Sequence, residues 1–234
     1  MKSTLLTLLG ILALAPLGAA PSASPAGTVT AASGKVTVIS SADAAGAGAA
    51  LKLGQPVYPG DRIKTGANGR AQIVLSDGTQ LKVNYLTDIT LRAADSKGKA
   101  SERGIGSIKL ALGNLWAKVV KKNSRLEFET PAAVAAVKGT EPEFNVDELG
   151  NLCVKLKEGA LDLSSDFGAA KLDRLKQICI KKGFKFGQKD VSGWDGSGSN
   201  WLSQVNSSAK AGIVIKATDT DNQQKEVDLD YDKK

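Results

Sequence analysis

The 234-residue chain has no histidine, one methionine and two cysteines. Without histidine there can be no Ser-His-Asp triad, Cys-His dyad, imidazole general base or imidazole metal ligand. Catalysis would have to rest on paired carboxylates, a Ser-Lys pair or a carboxylate-held metal, and no pattern in the sequence brings two inward carboxylates into one cleft. Aromatic residues make up 5% of the chain, so any core must be built mainly from Val, Leu, Ile and Ala. After the first twenty residues no apolar run approaches the ~20 residues needed to cross a bilayer as a helix. These absences lead us to expect no enzyme, no cofactor and no metal site.

The first residues read MKSTLLTLLGILALAPLGAAPSASPAG. Lys2 is followed by an apolar stretch over 5–14, then Pro16 and small residues. This is the pattern of a secretory signal peptide, assigned to residues 1–20 with cleavage between 19 and 26. A retained anchor is disfavoured because the apolar run is short. No cysteine lies near the cleavage region, so no acylation site is expected. The remainder is expected to be exported, periplasmic or in the cell envelope.

What is present reads as strand. Hydrophobic residues are 42% of the chain, enough to bury a core. Alternating apolar residues predict strands over 35–39, 71–75, 79–83, 89–91, 108–112, 115–120, 126–128, 144–146, 152–156, 160–163, 171–175, 177–180 and 184–186. Many short strands separated by glycine and charged turns predict an all-β domain over 27–189, with sandwich, roll and solenoid all open. Residues 190–211 are expected to link it to a C-terminal hairpin and acidic tail over 212–234.

Residues 60–83 read GDRIKTGANGRAQIVLSDGTQLKV. A two-residue Asp-Gly turn would set Leu75 opposite Gln80 and mix apolar with polar residues on one face. A three-residue loop, Ser76-Asp77-Gly78, sets Leu75 opposite Thr79, Ile73 opposite Leu81 and Ala71 opposite Val83, so that the faces agree. Gly78 then occupies the left-handed position of the bulge. The neighbouring Gly66-Ala-Asn-Gly69-Arg lacks the Gly-Lys-Ser/Thr ending of a phosphate-binding loop. This stretch is expected to be scaffold.

The cysteines sit on polar faces. Leu152, Val154 and Leu156 alternate with Cys153, Lys155 and Lys157; Ile178 and Ile180 alternate with Cys179 and Lys181. A cross-strand disulfide between Cys153 and Cys179 would explain two otherwise exposed thiols in an oxidising compartment; two free thiols are the alternative.

Five motifs in order carry a family resemblance: Gly60-Asp61-x-Ile63-x-Thr65-Gly66, Asp77-Gly78-Thr79, Thr130-Pro131, Lys138-Gly139-Thr140-Glu141 leading to Phe144, and Glu158-Gly159-Ala160-Leu161. Over about residues 27–189 the chain resembles the FecR domain family. The resemblance implies a non-enzymatic, all-β envelope domain that binds another protein, in signalling or in an envelope assembly. Two departures stand out. Pro142 and Glu143 interrupt the usual Gly-Thr-Glu-Phe, so the strand is expected to start after the proline or to carry a bulge. In the regulator that names the family, an anti-sigma segment and a membrane helix precede the domain. Here only a signal peptide is read, so transmembrane signalling by that route is not expected of this chain.

Charge suggests a second kind of partner. The formal net charge is +7, and residues 190–234 hold five Lys against eight Asp and Glu. Seven basic residues and one acid fall between 171 and 189: Lys171, Arg174, Lys176, Lys181, Lys182, Lys185 and Lys189 around Asp173. Lys118, Lys121, Lys122 and Arg125 form a second cluster. Such faces attract anionic envelope polymers, although spaced lysines on strands also serve simply as solvated faces. Nucleic acid is not expected, because the compartment argues against it and the three tryptophans do not interleave with the basic runs. Asp219-Thr-Asp221-Asn222 fails as a calcium loop, because position six would be Gln224 and position twelve Asp230. The Asn206-Ser207-Ser208 sequon carries no expectation if the source is bacterial.

Overall fold

The computed structural model describes residues 24–41, 46–94, 105–120, 126–199 and 201–202, with 214–218 and 224–228 described as backbone alone. The expected signal peptide, the sequon, the Asp219–Asn222 motif and the basic residues Lys121, Lys122 and Arg125 lie outside the described residues.

Strands dominate. They are β1 Gly27–Ser33, β2 Val36–Ile39, β3 Ala49–Ala50, β4 Pro56–Val57, β5 Arg62–Thr65, β6 Arg70–Leu75, β7 Gln80–Val83, β8 Asp88–Ala93 and β9 Ile105–Lys118. Then follow β10 Leu126–Glu129, β11 Val134–Val137, β12 Pro142–Val146, β13 Leu152–Leu156, β14 Ala160–Ser165, β15 Gly168–Asp173, β16 Lys176–Ile180 and β17 Ser192–Gly193. The last two, β18 Val214–Thr218 and β19 Gln224–Asp228, pair antiparallel as a separate sheet.

Hydrogen bonding joins β1 to β17 into one continuous 17-stranded sheet folded into two layers. Layer one runs β4-β1-β6-β7-β9-β12-β13-β16-β17. Layer two runs β3-β2-β5-β8-β9-β10-β11-β14-β15. Strand β9 belongs to both: its first half pairs with β8 and β10, its second with β7 and β12. Only the β9–β10 pairing is parallel among these strands. A solenoid would stack parallel strands throughout, so the described residues form a two-layer roll.

The reason lies in the pattern. Most strands bury every second residue, as in β6 and β13, so each layer offers one apolar face. The faces meet in one core containing Ile63, Ile73, Leu81, Leu110, Leu115 and Val154. The chain changes layer repeatedly, at β1 to β2, β3 to β4, β4 to β5, β5 to β6, β7 to β8, within β9, β9 to β10, β11 to β12, β13 to β14 and β15 to β16. Strands β11 and β12 pair with β14 and β13 as one long hairpin folded across its middle.

The hairpin over 71–83 has the three-residue register: Ala71 faces Val83 and Ile73 faces Leu81. The Leu75 N–H donates to the Thr79 carbonyl at 2.8 Å, and Gly78 has φ +87°.

Three strand expectations need correction. Residues 108–112 and 115–118 belong to one strand that ends at Lys118, short of the expected 120, because Gly113 bends β9 without ending it. Residues 184–186 are not a strand: Phe186 makes only an isolated parallel bridge to Gly168, and further along β15 the backbone of Lys171 bonds the Gln188 side-chain amide in place of a strand. Strand β12 starts at Pro142 itself, whose missing N–H is tolerated at a first position.

Candidate interaction face

The family-motif residues build corners and turns. Asp61 is buried and accepts hydrogen bonds from the Tyr58 N–H at 2.9 Å and the Ser41 N–H at 3.4 Å. Gly60 precedes it at φ +93°, and Ile63 is fully buried. Thr65 donates from Oγ1 to the Asn84 carbonyl and accepts from the Thr87 N–H at 2.8 Å, tying the β5–β6 corner to the β7–β8 corner. Gly66 closes on the Lys35 carbonyl at 2.8 Å. Asp77 accepts from both the N–H and the hydroxyl of Thr79. Thr130 donates to the Ala133 carbonyl at 2.7 Å, closing the turn that holds Pro131. Lys138, Gly139 and Thr140 form the β11–β12 corner, and Phe144 lies in the core. Of this set, Glu141 alone reaches toward the face described next.

On layer one, cross-strand register lines up Lys82, Trp116, Glu143, Lys155 and Gln177 on one row. Alternation turns this row away from the core. Yet Lys82, Trp116 and Glu143 are only 7%, 7% and 6% exposed. Residues 194–199 and 201–202, at the start of the expected linker, lie across them. Glu143 accepts hydrogen bonds from the Trp201 indole N–H at 2.8 Å, the Asn114 side-chain amide at 3.1 Å and the Ser199 hydroxyl. Lys82 donates to the Leu202 carbonyl at 3.2 Å and stands 5.0 Å over the Trp116 ring. Lys155 stands 5.7 Å over the Trp194 ring. The Trp194 N–H donates to the carbonyl of Leu175 at 2.9 Å. Leu175 holds φ +58°, a conformation that side-chain-bearing residues adopt rarely. Two of the tryptophans therefore do meet lysines, though not those of the basic runs.

The covering is incomplete. A cleft of about 240 Å³ remains, bounded by Trp116, Glu141, Lys157, Trp194 and Leu202. Glu141 pairs with Lys157 at 2.9 Å on its wall. Burial depresses the Lys82 ammonium below the ordinary lysine value; Glu141 opposes that shift and Lys157 adds to it. The site can hold a polypeptide by charge-assisted hydrogen bonds and cation–π contacts. Among the described residues no cluster of metal-ligating side chains is present.

Sequence reasoning missed this row. The signal was available: Trp116 takes an outward position in an alternating strand, and Trp194 and Trp201 interrupt a Gly/Ser-rich stretch.

Among the described residues, the basic positions of the 171–185 run are spread over both layers. Lys118, Lys171, Arg174, Lys176, Lys181, Lys182 and Lys185 are exposed. Lys171 belongs to layer two and Arg174 to the β15–β16 corner. Lys176 and Lys181 flank β16 at opposite ends, about 16 Å apart at ~3.3 Å per residue. Lys182 lines an open cleft that also contains Asp147 and Glu148.

Cys153 and Cys179 are directly opposed on β13 and β16 and form a disulfide, with Cα atoms 4.1 Å apart. It fixes the strand edge next to Lys155 and fits an oxidising compartment.

The family model described as FecR protein matches residues 61–162. Over those residues the chain is similar to the FecR family. The match to the FecR domain ends within β14, so Cys179 and the residues covering the polar row lie beyond it. Among solved structures, a candidate anti-sigma factor from Parabacteroides distasonis ATCC 8503 at 2.50 Å is 16% identical with a TM-score of 0.48, over 60% of this chain and 63% of that one. This chain thus spans less than two thirds of that protein's length. A second candidate anti-sigma factor from the same organism, at 1.65 Å, is 14% identical with a TM-score of 0.46, over 69% and 70%. A cell surface anchoring domain is 31% identical over 28% of this chain and 82% of its own length, with a TM-score of 0.26. No curated protein matches. Among the described residues no helix is long and apolar enough to cross a membrane.

Proposed function

We propose that this chain is a protein-interaction module of the cell envelope, built on its FecR-like domain, acting in signalling or in an envelope assembly rather than in catalysis. The observation that carries this reading is the polar row of layer one. Lys82, Trp116 and Glu143 are drawn out of water by polypeptide groups laid across them. A face that holds one peptide segment through an indole, a hydroxyl and a backbone carbonyl has the chemistry to hold another. The disulfide supports an exported location. The FecR similarity supports a regulatory role through a protein partner.

Electrostatic binding of anionic envelope polymers is the competing reading, and the dispersal of the basic residues along β15 and β16 weighs against it. Chemical crosslinking of the protein in its native envelope, at low and at high salt, tests the choice. A defined protein captured at both salt levels supports the interaction module. Capture of polymer alone, lost at high salt, favours the electrostatic reading.

A further inference from the structure

We infer that residues 194–199 and 201–202 are a cis ligand: a built-in occupant of the layer-one face that a partner's tryptophan-bearing extended segment displaces. This rests on the interaction reading above and names the surface and the kind of partner.

Three observations converge. First, the segment is held by groups that any extended peptide can supply. Glu143 takes an indole N–H and a hydroxyl, Lys82 takes a backbone carbonyl, and Lys155 takes an aromatic face. Ladder pairing to β16 stops at Ser192 and Gly193; beyond it the Trp194 N–H bonds the Leu175 carbonyl, and the remaining links among the described residues run through side chains. Second, the segment contains Gly196, Ser197, Gly198 and Ser199. Such a sequence has little structure of its own and regains much conformational freedom on release. Third, the fit is imperfect. The 240 Å³ cleft remains between segment and sheet, floored by Trp116 and walled by the Glu141–Lys157 pair. A partner that filled it would gain contacts the cis segment does not make.

The partner is therefore an extended polypeptide with an indole N–H directed at Glu143, a backbone carbonyl for Lys82 and an apolar group over Trp116. A tethered occupant competes at an effective concentration of order millimolar. The cis segment thus weakens capture of that partner until it is displaced.

The test uses the full chain and a labelled peptide of residues 192–203 as the probe. In wild type the face is occupied and the peptide binds weakly. In the Ser199→Ala/Trp201→Ala variant the cis segment is loosened and the peptide binds at least tenfold more tightly. Adding Glu143→Gln to that variant, or replacing both tryptophans of the peptide by alanine, abolishes the gain. Equal binding by wild type and the loosened variant, with unchanged circular dichroism, overturns the inference. Hydrogen exchange on the wild-type protein gives a second reading independent of any variant. The Trp201 indole N–H and Trp194 amide are expected to exchange at least a hundredfold faster than the β13 amides; exchange only together with β13 overturns it. If the native envelope yields the same protein partner in equal amount from wild type and variant, the interaction reading stands and the cis-ligand inference falls.

Discussion

Phe128 of β10 and Phe144 of β12 stack across the two layers, with ring centroids 4.6 Å apart and planes at 25°. Both are fully buried. One belongs to each layer, so this pair fastens the roll shut beside the strand that carries Glu143 outward. Truncating either ring to alanine is expected to cost about 3–5 kcal/mol. The double variant should cost less than the sum, because each ring is the other's neighbour. Urea unfolding of the two single variants and the double variant checks both statements.

Two glycines separate backbone strain from packing. An alanine Cβ at Gly113 would stand 2.5 Å from Thr87 Cα and 2.6 Å from the Leu86 carbonyl, at φ +96°. The Gly113→Ala variant is expected to lose at least ~3 kcal/mol, from overpacking and strain together. At Gly78 the nearest neighbour is the Val120 side chain at 3.2 Å, which can yield. Gly78→Ala should therefore lose only ~1–2 kcal/mol, the cost of the left-handed backbone. Thermal unfolding ranks the pair.

The turn at Gly78 was legible in the sequence and the bend at Gly113 was not. At 71–83 only one register puts Ile73 opposite Leu81, so the buried face selected the loop. The cysteines were legible for the same reason, since alternation put both among lysines on one polar face. Gly113 read as a terminator because a bend inside a strand and a break between strands look alike locally. Residues 184–186 alternate like a strand, but alternation does not show that the Gln188 side-chain amide takes the backbone of β15 at Lys171. The polar row was hidden by distance: Trp201 covers Glu143 from 58 positions further along the chain.

The Cys153–Cys179 disulfide closes a sequence separation of 26 residues. Replacing both cysteines by serine is expected to lower stability by roughly 3–4 kcal/mol on the chain-entropy estimate. The strands should still pair, because Leu152, Val154, Ile178 and Ile180 remain buried. Denaturant unfolding of the variant, compared with the oxidised and reduced wild type, measures the difference.

Lys82 gives the face a pH signature. Its ammonium is depressed mainly by burial, so the unfolded chain holds that proton more tightly than the folded one. Below the folded value both states are protonated and the full cost of burying the charge is present. As pH rises through that depressed value toward the ordinary lysine value of 10.5, the cost is relieved and this group's contribution to stability increases. Carbon NMR of the lysine Cε signals should find Lys82 titrating below the ordinary lysine range. Titration at the ordinary value would contradict the burial of its ammonium.

The most direct test of the interaction face is site-specific photo-crosslinking in the native envelope at high salt. One photoreactive residue replaces Lys157 beside the polar row, and another, in a separate variant, replaces Lys171 on layer two. The account predicts that position 157 captures a defined protein and position 171 does not. Capture of that protein from position 171 alone, or of envelope polymer and no protein from either, would contradict it.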